Sequence, residues 1–110
     1  MGRYLAIFNG AATPEQRREL SPQESQAFLE RWAAWAGRVG AALADPGAPL
    51  YRKIRLTSAG AQPFEDSRTG YAIVEAPSHE AAVQLFADHP HLDLIEGNSI
   101  EVFECPEPPS

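Results

Sequence analysis

The first predicted strand, residues 3–9, is apolar on both of its faces. Its side chains alternate between two apolar sets, Tyr4, Ala6 and Phe8 on one face and Leu5 and Ile7 on the other. Because the burial of apolar area is the main favourable term in folding, such a strand is expected in a sheet that is covered on both sides. This requirement restricts the chain to layered folds that hide both faces of the sheet.

A helix is predicted to begin at Ser21. Ser21 is a good N-cap, Pro22 fits the first helical position, and Glu24 stands where a capping box places its carboxylate. The apolar side chains that follow recur at steps of four and three and form one stripe: Phe28, Trp32, Trp35, Val39 and Leu43. We expect this stripe to face the core and the helix to end at the Asp-Pro-Gly of residues 45–47.

Four further elements complete the predicted pattern. They are a strand at residues 50–58, a strand at 69–76, a helix from Ser78 to His89, and a strand at 99–104, with loops at 59–67 and 96–98. The order β-α-β-β-α-β predicts an α+β fold of ferredoxin-like topology, with two helices on one face of a four-stranded antiparallel sheet. Residues 1–105 form one predicted domain, and the proline-rich residues 106–110 are expected to be a disordered tail.

The composition is that of one ordinary globular domain, with 44% hydrophobic and 22% charged residues among 110. The net charge of −6 disfavours nucleic acid and anionic membranes as partners, because such binding depends on Lys and Arg. The single cysteine, Cys105, excludes an intramolecular disulfide, and the first apolar run is too short for a secretory signal or a membrane span. We expect a cytoplasmic protein that needs no cofactor.

The third predicted strand imitates the RNP1 motif of RNA-recognition domains. Thr69 stands at the basic first position, and Ile73 and Ala76 replace two of the aromatic residues that stack on bases. The imitation fails at the residues that contact RNA, so nucleic acid remains an unexpected partner.

The face of the predicted sheet that carries no helices is also expected to be apolar. Tyr71 and Ile73 point to the opposite side of the third strand from Ala72 and Val74. A monomer would expose this apolar area to water. A two-fold dimer covers it with one self-complementary patch, so we expect a homodimer that associates through the open sheet face.

Five segments, in order along the chain, resemble the YCII-related proteins, in particular the branch called DGPF-domain proteins. They are residues 4–8 (YLAIF), 40–43 with 47–50 (GAAL and GAPL), 70–76 (GYAIVEA), 89–92 (HPHL) and 97–102 (GNSIEV). The resemblance implies a dimeric α/β barrel related to muconolactone isomerases and small mono-oxygenases. Some of these relatives pair a histidine of helix one with an aspartate. The predicted helix one contains no histidine, and the nearest acid is Asp45 in the following turn, so this couple is not carried over.

Residues 88–93 (DHPHLD) form the densest polar cluster of the sequence. Histidine titrates near neutral pH, so His91 is the candidate catalytic acid/base, with Asp93 or Asp88 orienting it. The alternative is structural: His89 completes the last helical turn and His91 holds the loop by hydrogen bonds. A metal site built from His89, His91 and Asp93 lacks a more distant ligand, and no metal is predicted.

A second candidate site combines cations with aromatic side chains. Its predicted residues are Arg52, Lys53 and Arg55 on the second strand, together with Tyr71 and Arg3. They either frame a pocket for a small anionic ligand or form a solvated strand edge whose charges prevent strand pairing. Trp32 and Trp35 either line a ligand cavity between helix and sheet or belong to the core.

Two function hypotheses follow from these residues. The first is a dimeric accessory module that binds a small molecule or a partner protein, since no complete catalytic set is present. The second is a cofactor-free lyase or isomerase that acts on a small cyclic or aromatic acid through His91. The position of His91 separates them, because the enzyme needs this histidine and a carboxylate at the wall of one pocket.

Overall fold

The computed structural model describes residues 1–11 and 21–107. The strands are β1 (Gly2–Asn9), β2 (Leu43–Asp45), β3 (Ile54–Thr57), β4 (Gly60–Pro63), β5 (Arg68–Ala76) and β6 (Ser99–Cys105). The helices are α1 (Pro22–Val39), α2 (His79–Leu85) and α3 (His91–Leu94), and a 3₁₀ turn (Gly40–Ala42) follows α1. Of the predicted disordered tail, residues 108–110 lie outside the described residues.

The fold is α+β and contains a four-stranded antiparallel sheet, as predicted. Its strands lie side by side in the order β2-β5-β1-β6, and every neighbouring pair is antiparallel. A separate two-stranded sheet consists of β3 and β4. The central strands β1 and β5 pair along their whole length, so they form the centre of the main sheet.

The start of α1 is confirmed by its hydrogen bonds. The backbone N–H of Glu24 donates to Oγ of Ser21, and the backbone N–H of Ser21 donates to Oε1 of Glu24, each over 3.1 Å. The predicted end of this helix is wrong, because α1 stops at Val39 and the chain turns at Gly40, whose φ is 60°. Leu43, which continues the apolar spacing, pairs with Val74 as part of β2.

The prediction of residues 50–58 as the second strand of the main sheet is also wrong. The edge of that sheet beside β5 is β2, and the chain stays next to β5 through a hydrogen bond from the Leu50 N–H to the Thr69 oxygen at 3.0 Å. Residues 54–57 do form a strand, but it pairs with β4 in the predicted loop. The physical reason is locality: a two-residue turn places Thr57 opposite Gly60, so the alternating segment finds its partner within the same hairpin.

The second helical region is shorter than predicted. Ser78 caps α2, since its Oγ accepts the backbone N–H of Ala81 over 3.0 Å, but the helix ends at Leu85. After Pro90, a second short helix, α3, begins at His91. The predicted last strand is confirmed as β6 and is one residue longer.

The core lies on one face of the main sheet, beneath α1 and α2. Tyr4, Ala6 and Phe8 of β1 are buried there, as are Ala72 and Val74 of β5. Trp35 of α1 and Ala82 of α2 close this layer, together with Phe86. The Trp35 Nε1–H donates to the Leu85 oxygen over 2.7 Å, which ties the two helices together and satisfies the buried indole.

The opposite face of the sheet carries no helix. Strand register sets Leu5 between Phe103 and Ile73, and it sets Ile7 between Glu101 and Tyr71. Residues directly opposite on antiparallel strands point to the same face, so five apolar side chains share this surface. We call it the open face and define it by Leu5, Ile7, Tyr71, Ile73 and Phe103.

Candidate functional site

His89 and His91 lie together between α2 and the start of α3, and both are buried. The backbone N–H of His91 donates to Nδ1 of His89 over 3.0 Å. Because Nδ1 accepts this bond, the proton of the neutral imidazole sits on Nε2. Among the described residues, this Nε2 has no hydrogen-bond partner.

Aromatic rings surround the side chain of His89. The ring centroids of Trp32, Trp35 and Phe8 lie 4.2, 4.4 and 4.9 Å from its own. Burial in this apolar cage, helped by the nearby His91, lowers the pKa of His89 to about 4, although the Asp88 charge opposes the shift. His89 is therefore neutral at physiological pH and belongs to the core.

His91 is held by backbone oxygens. Its Nε2–H donates to the Asn9 oxygen over 2.8 Å, and its own backbone oxygen accepts the Asn98 side-chain amide over 3.0 Å. Burial lowers its pKa, and the hydrogen bonds to the Asn9 and Ser99 backbone oppose that shift. His91 thus joins the end of β1 to the loop that leads into β6.

The two predicted partners of His91 form ion pairs with α1 instead. Oδ2 of Asp88 lies 3.0 Å from a guanidinium nitrogen of Arg38, and Oδ2 of Asp93 lies 3.2 Å from one of Arg31. All four side chains are more than half exposed. The structure therefore brings the two histidines together but sets neither aspartate beside His91.

Arg31 and Arg38 were not among the predicted site residues. Their signal in the sequence is their spacing of seven, which is two helical turns on a side of α1 away from the apolar stripe. In residues 1–11 and 21–107, no group of three or more His, Cys, Asp or Glu side chains is placed to hold a metal ion. The set of His89, His91 and Asp93 is not assembled, because Asp93 faces Arg31.

The predicted ligand-binding residues lie in three different places. Trp32 and Trp35 pack around His89 in the core, whereas Tyr71 belongs to the open face. Arg52 lies at the base of the β3–β4 hairpin and lines a groove of about 540 Å³. The complete lining of this groove is Leu50, Tyr51, Arg52, Lys53, Pro63, Phe64, Glu65 and Asp66.

Lys53 fixes the base of the hairpin. Its Nζ donates to Oδ1 of Asp66 and to the backbone oxygen of Arg68, and both ends of the Lys53–Asp66 ion pair are largely shielded from water. The hydrogen bond from Lys53 lowers the pKa of the Asp66 carboxyl. Lys53 is thus a structural cation with its charge already paired.

Arg52 differs from its two basic neighbours. Arg55 stacks on the Phe64 ring, with its guanidinium carbon 4.4 Å from the ring centroid. Arg52 is exposed and has a positive φ of 53°, and within the described part of the chain it forms no ion pair. Of the three cations on this segment, Arg52 is the one that has neither an ion pair nor an aromatic-ring contact among the described residues.

Among the described residues, none of the helices has the length and apolar character that a membrane span requires. A comparison of the chain with models of known protein families gives no match, and a comparison with curated proteins gives no match either. The resemblance to YCII-related proteins therefore stays a prediction from the sequence.

Proposed function

We propose that this chain is a homodimeric binding module whose two copies associate through the open face. The observation that carries this is the contiguous apolar row formed by Phe103, Leu5 and Ile73 on adjacent strands. Phe103 is 47% exposed in the single chain, and Leu5 and Ile73 are only half-buried. A second copy supplies the same apolar row, and contact between the two rows removes both rows from water.

The order of strands supports a ferredoxin-like topology for each copy. The edge positions of β2 and β6 around β5 and β1 match the order of that topology when the β3–β4 hairpin is treated as an insertion. Two such sheets packed face to face would form the dimeric α/β barrel that the sequence resemblance implies. The buried opposite face leaves the open face as the surface available for this contact.

Binding is favoured over catalysis because the predicted acid/base residues already have structural partners. Asp88 and Asp93 form ion pairs with arginines of α1. His89 and His91 are both buried. An acid/base catalyst must reach the proton of a bound substrate, and His91 instead reaches the backbone of Asn9.

The ligand that fits the hairpin-base groove is a small organic anion with an aromatic or apolar body. The groove has the volume of ordinary small-molecule sites. Tyr51 and Phe64, whose second ring face Arg55 covers, supply apolar lining, and the unpaired guanidinium of Arg52 offers bidentate hydrogen bonds to a carboxylate.

Sedimentation equilibrium tests the dimer. The wild-type chain is expected to show twice the protomer mass of 12.0 kDa. Phe103→Asp, which places a charge on the open face, is expected to raise the dissociation constant at least about tenfold. Leu29→Asp is the matched control, because Leu29 is 62% exposed on α1, away from the open face. Equal effects of the two variants would contradict the proposed interface.

Titration with benzoate, followed by NMR chemical shifts, tests the groove. Shifts are expected at Tyr51, Arg52 and Phe64, and Arg52→Gln is expected to weaken binding about tenfold or more through loss of the charged hydrogen bonds. Arg31→Gln removes the same charge far from the groove and should leave the affinity unchanged. Saturable shifts that survive Arg52→Gln would remove Arg52 from the site.

A further inference from the structure

The β3–β4 hairpin has one apolar and one polar face. Its register pairs Ile54 with Pro63 and Leu56 with Ala61, so these four side chains share a face. The other face carries the pairs Arg55 with Gln62 and Thr57 with Gly60. All eight strand residues are exposed, and Ile54 and Leu56 keep 65% and 79% of their surface in water.

A two-stranded hairpin that packs against nothing else is only marginally stable in water. An isolated pair of strands is marginal in water, and an apolar face normally provides the stability only when something covers it. Lys53 anchors the base through Asp66 and the Arg68 backbone, but it contributes nothing along the four-residue strands. Within residues 1–11 and 21–107, the apolar face of the hairpin stays largely uncovered, which makes it a surface available to a second copy.

Charge indicates what that cover is. Residues 51–68, which include the hairpin and its base, carry four basic and two acidic side chains. The rest of the chain carries five basic and thirteen acidic ones. A positive arm and a negative body in the same molecule attract each other between two copies, and a two-fold arrangement forms this contact twice.

The edge strand β6 offers both an apolar surface for the hairpin face and negative charge for the basic arm. It borders the main sheet beside β1, and its exposed residues include Glu101, Phe103 and Glu104. Phe103 also belongs to the open face, so a hairpin lying here continues the dimer contact. Glu101, whose Oε1 already accepts the Asn9 side-chain amide, and Glu104 give this edge the negative charge that attracts the basic arm.

We infer that, in the dimer, each β3–β4 hairpin lays its apolar face on the β6 edge of the second copy. This arm contact rests on the proposed dimer and extends it beyond the open face. It covers Ile54 and Leu56 and pairs the basic arm with the acidic edge.

Two variants with the same change of charge test the arm. Leu56→Glu places a carboxylate on the apolar face, and Gln62→Glu places one on the polar face of the same hairpin. Leu56→Glu is expected to raise the dissociation constant of the dimer at least about tenfold, because it removes the leucine that the second copy would bury and adds repulsion from the acidic edge. Gln62→Glu should change it less than about twofold.

Hydrogen exchange of the unmodified chain, measured below and above the dimerisation concentration, completes the test. Amides of residues 54–63 are expected to exchange more slowly as the dimer forms. A dimer in which these amides stay unprotected and Leu56→Glu has no effect overturns the arm contact while the open-face dimer stands. Equal protection of these amides in the monomer and in the dimer also overturns it, because the second copy would then add no cover to the hairpin's own ladder. A chain that stays monomeric at every concentration overturns the dimer itself.

Discussion

The backbone N–H of His91 donates to Nδ1 of His89 over 3.0 Å, inside a cage of aromatic rings. This bond requires a neutral His89, because a protonated imidazole has no lone pair to accept it. The segment between α2 and α3 therefore depends on an uncharged histidine in the core. That dependence links the stability of the fold to pH.

Acidification is expected to destabilise the domain between about pH 6.5 and about pH 4. The pKa of His89 falls from 6.5 in the unfolded chain to about 4 in the fold, so the unfolded state binds the proton more readily. The contribution is fully present above pH 6.5 and is lost as the pH falls through this window, by about 3 kcal/mol in total. The lowered pKa of His91 acts in the same direction. Urea unfolding at several pH values measures the slope.

His89→Asn is the informative variant for this dependence. The asparagine oxygen can accept the His91 N–H in place of Nδ1, but it does not titrate. We expect a lower stability at pH 8 and a flatter stability curve between pH 6.5 and 4. An unchanged slope in His89→Asn would show that other groups carry the pH dependence.

Trp35 is expected to be the most costly core residue to truncate. It is 1% exposed, packs against Phe86, and donates the indole hydrogen bond to Leu85. Trp35→Ala should lower the free energy of unfolding by about 3–5 kcal/mol, through the cavity and the unpaired carbonyl. Leu29→Ala on the exposed side of the same helix should change it by less than about 0.5 kcal/mol. Urea denaturation compares the two variants.

Two glycines are expected to respond to alanine with opposite signs. A Cβ at Gly47 would lie 1.7 Å from the Tyr71 oxygen, and the φ of Gly47 is 75°, so Gly47→Ala should destabilise by more than about 1 kcal/mol. Gly37 lies within α1 with nothing within 4 Å of its Cβ position. Gly37→Ala should stabilise by about 0.5–1 kcal/mol through helix propensity. Thermal melts of both variants reveal the signs, and a tolerated Gly47→Ala would contradict the close passage of the chain over β5.

Local signals predicted the parts of this fold that depend on neighbouring residues. The cap at Ser21 and the two apolar faces of β1 are encoded within a few positions, and both are found. The predicted end of α1 was wrong because the apolar spacing of the helix continues to Leu43. The chain has already left the helix at Gly40, whose φ is positive. Periodicity reports which side chains are apolar, and it does not report where the backbone reverses.

The candidate site was harder to predict because its contacts are distant in sequence. The pairing of Asp88 with Arg38 and of Asp93 with Arg31 depends on how α1 lies against the α2–α3 region. The partner of β3 was missed because Gly60–Pro63 contains glycine and proline, which are typical of loops. The sequence predicted Arg52 as a candidate ligand-binding residue, but its aromatic neighbours in the groove, Tyr51 and Phe64, become apparent only in three dimensions.

Isotope-filtered NMR on a mixture of labelled and unlabelled protein tests the open-face dimer most directly. This measurement detects only contacts between protons of different copies. We expect intermolecular cross-peaks from the methyl groups of Leu5, Ile7 and Ile73 to the aromatic protons of Phe103 and Tyr71, since these side chains form the open face. Intermolecular cross-peaks confined to the helical side, at Leu29 and Val83, or none at all at millimolar concentration, would contradict the account.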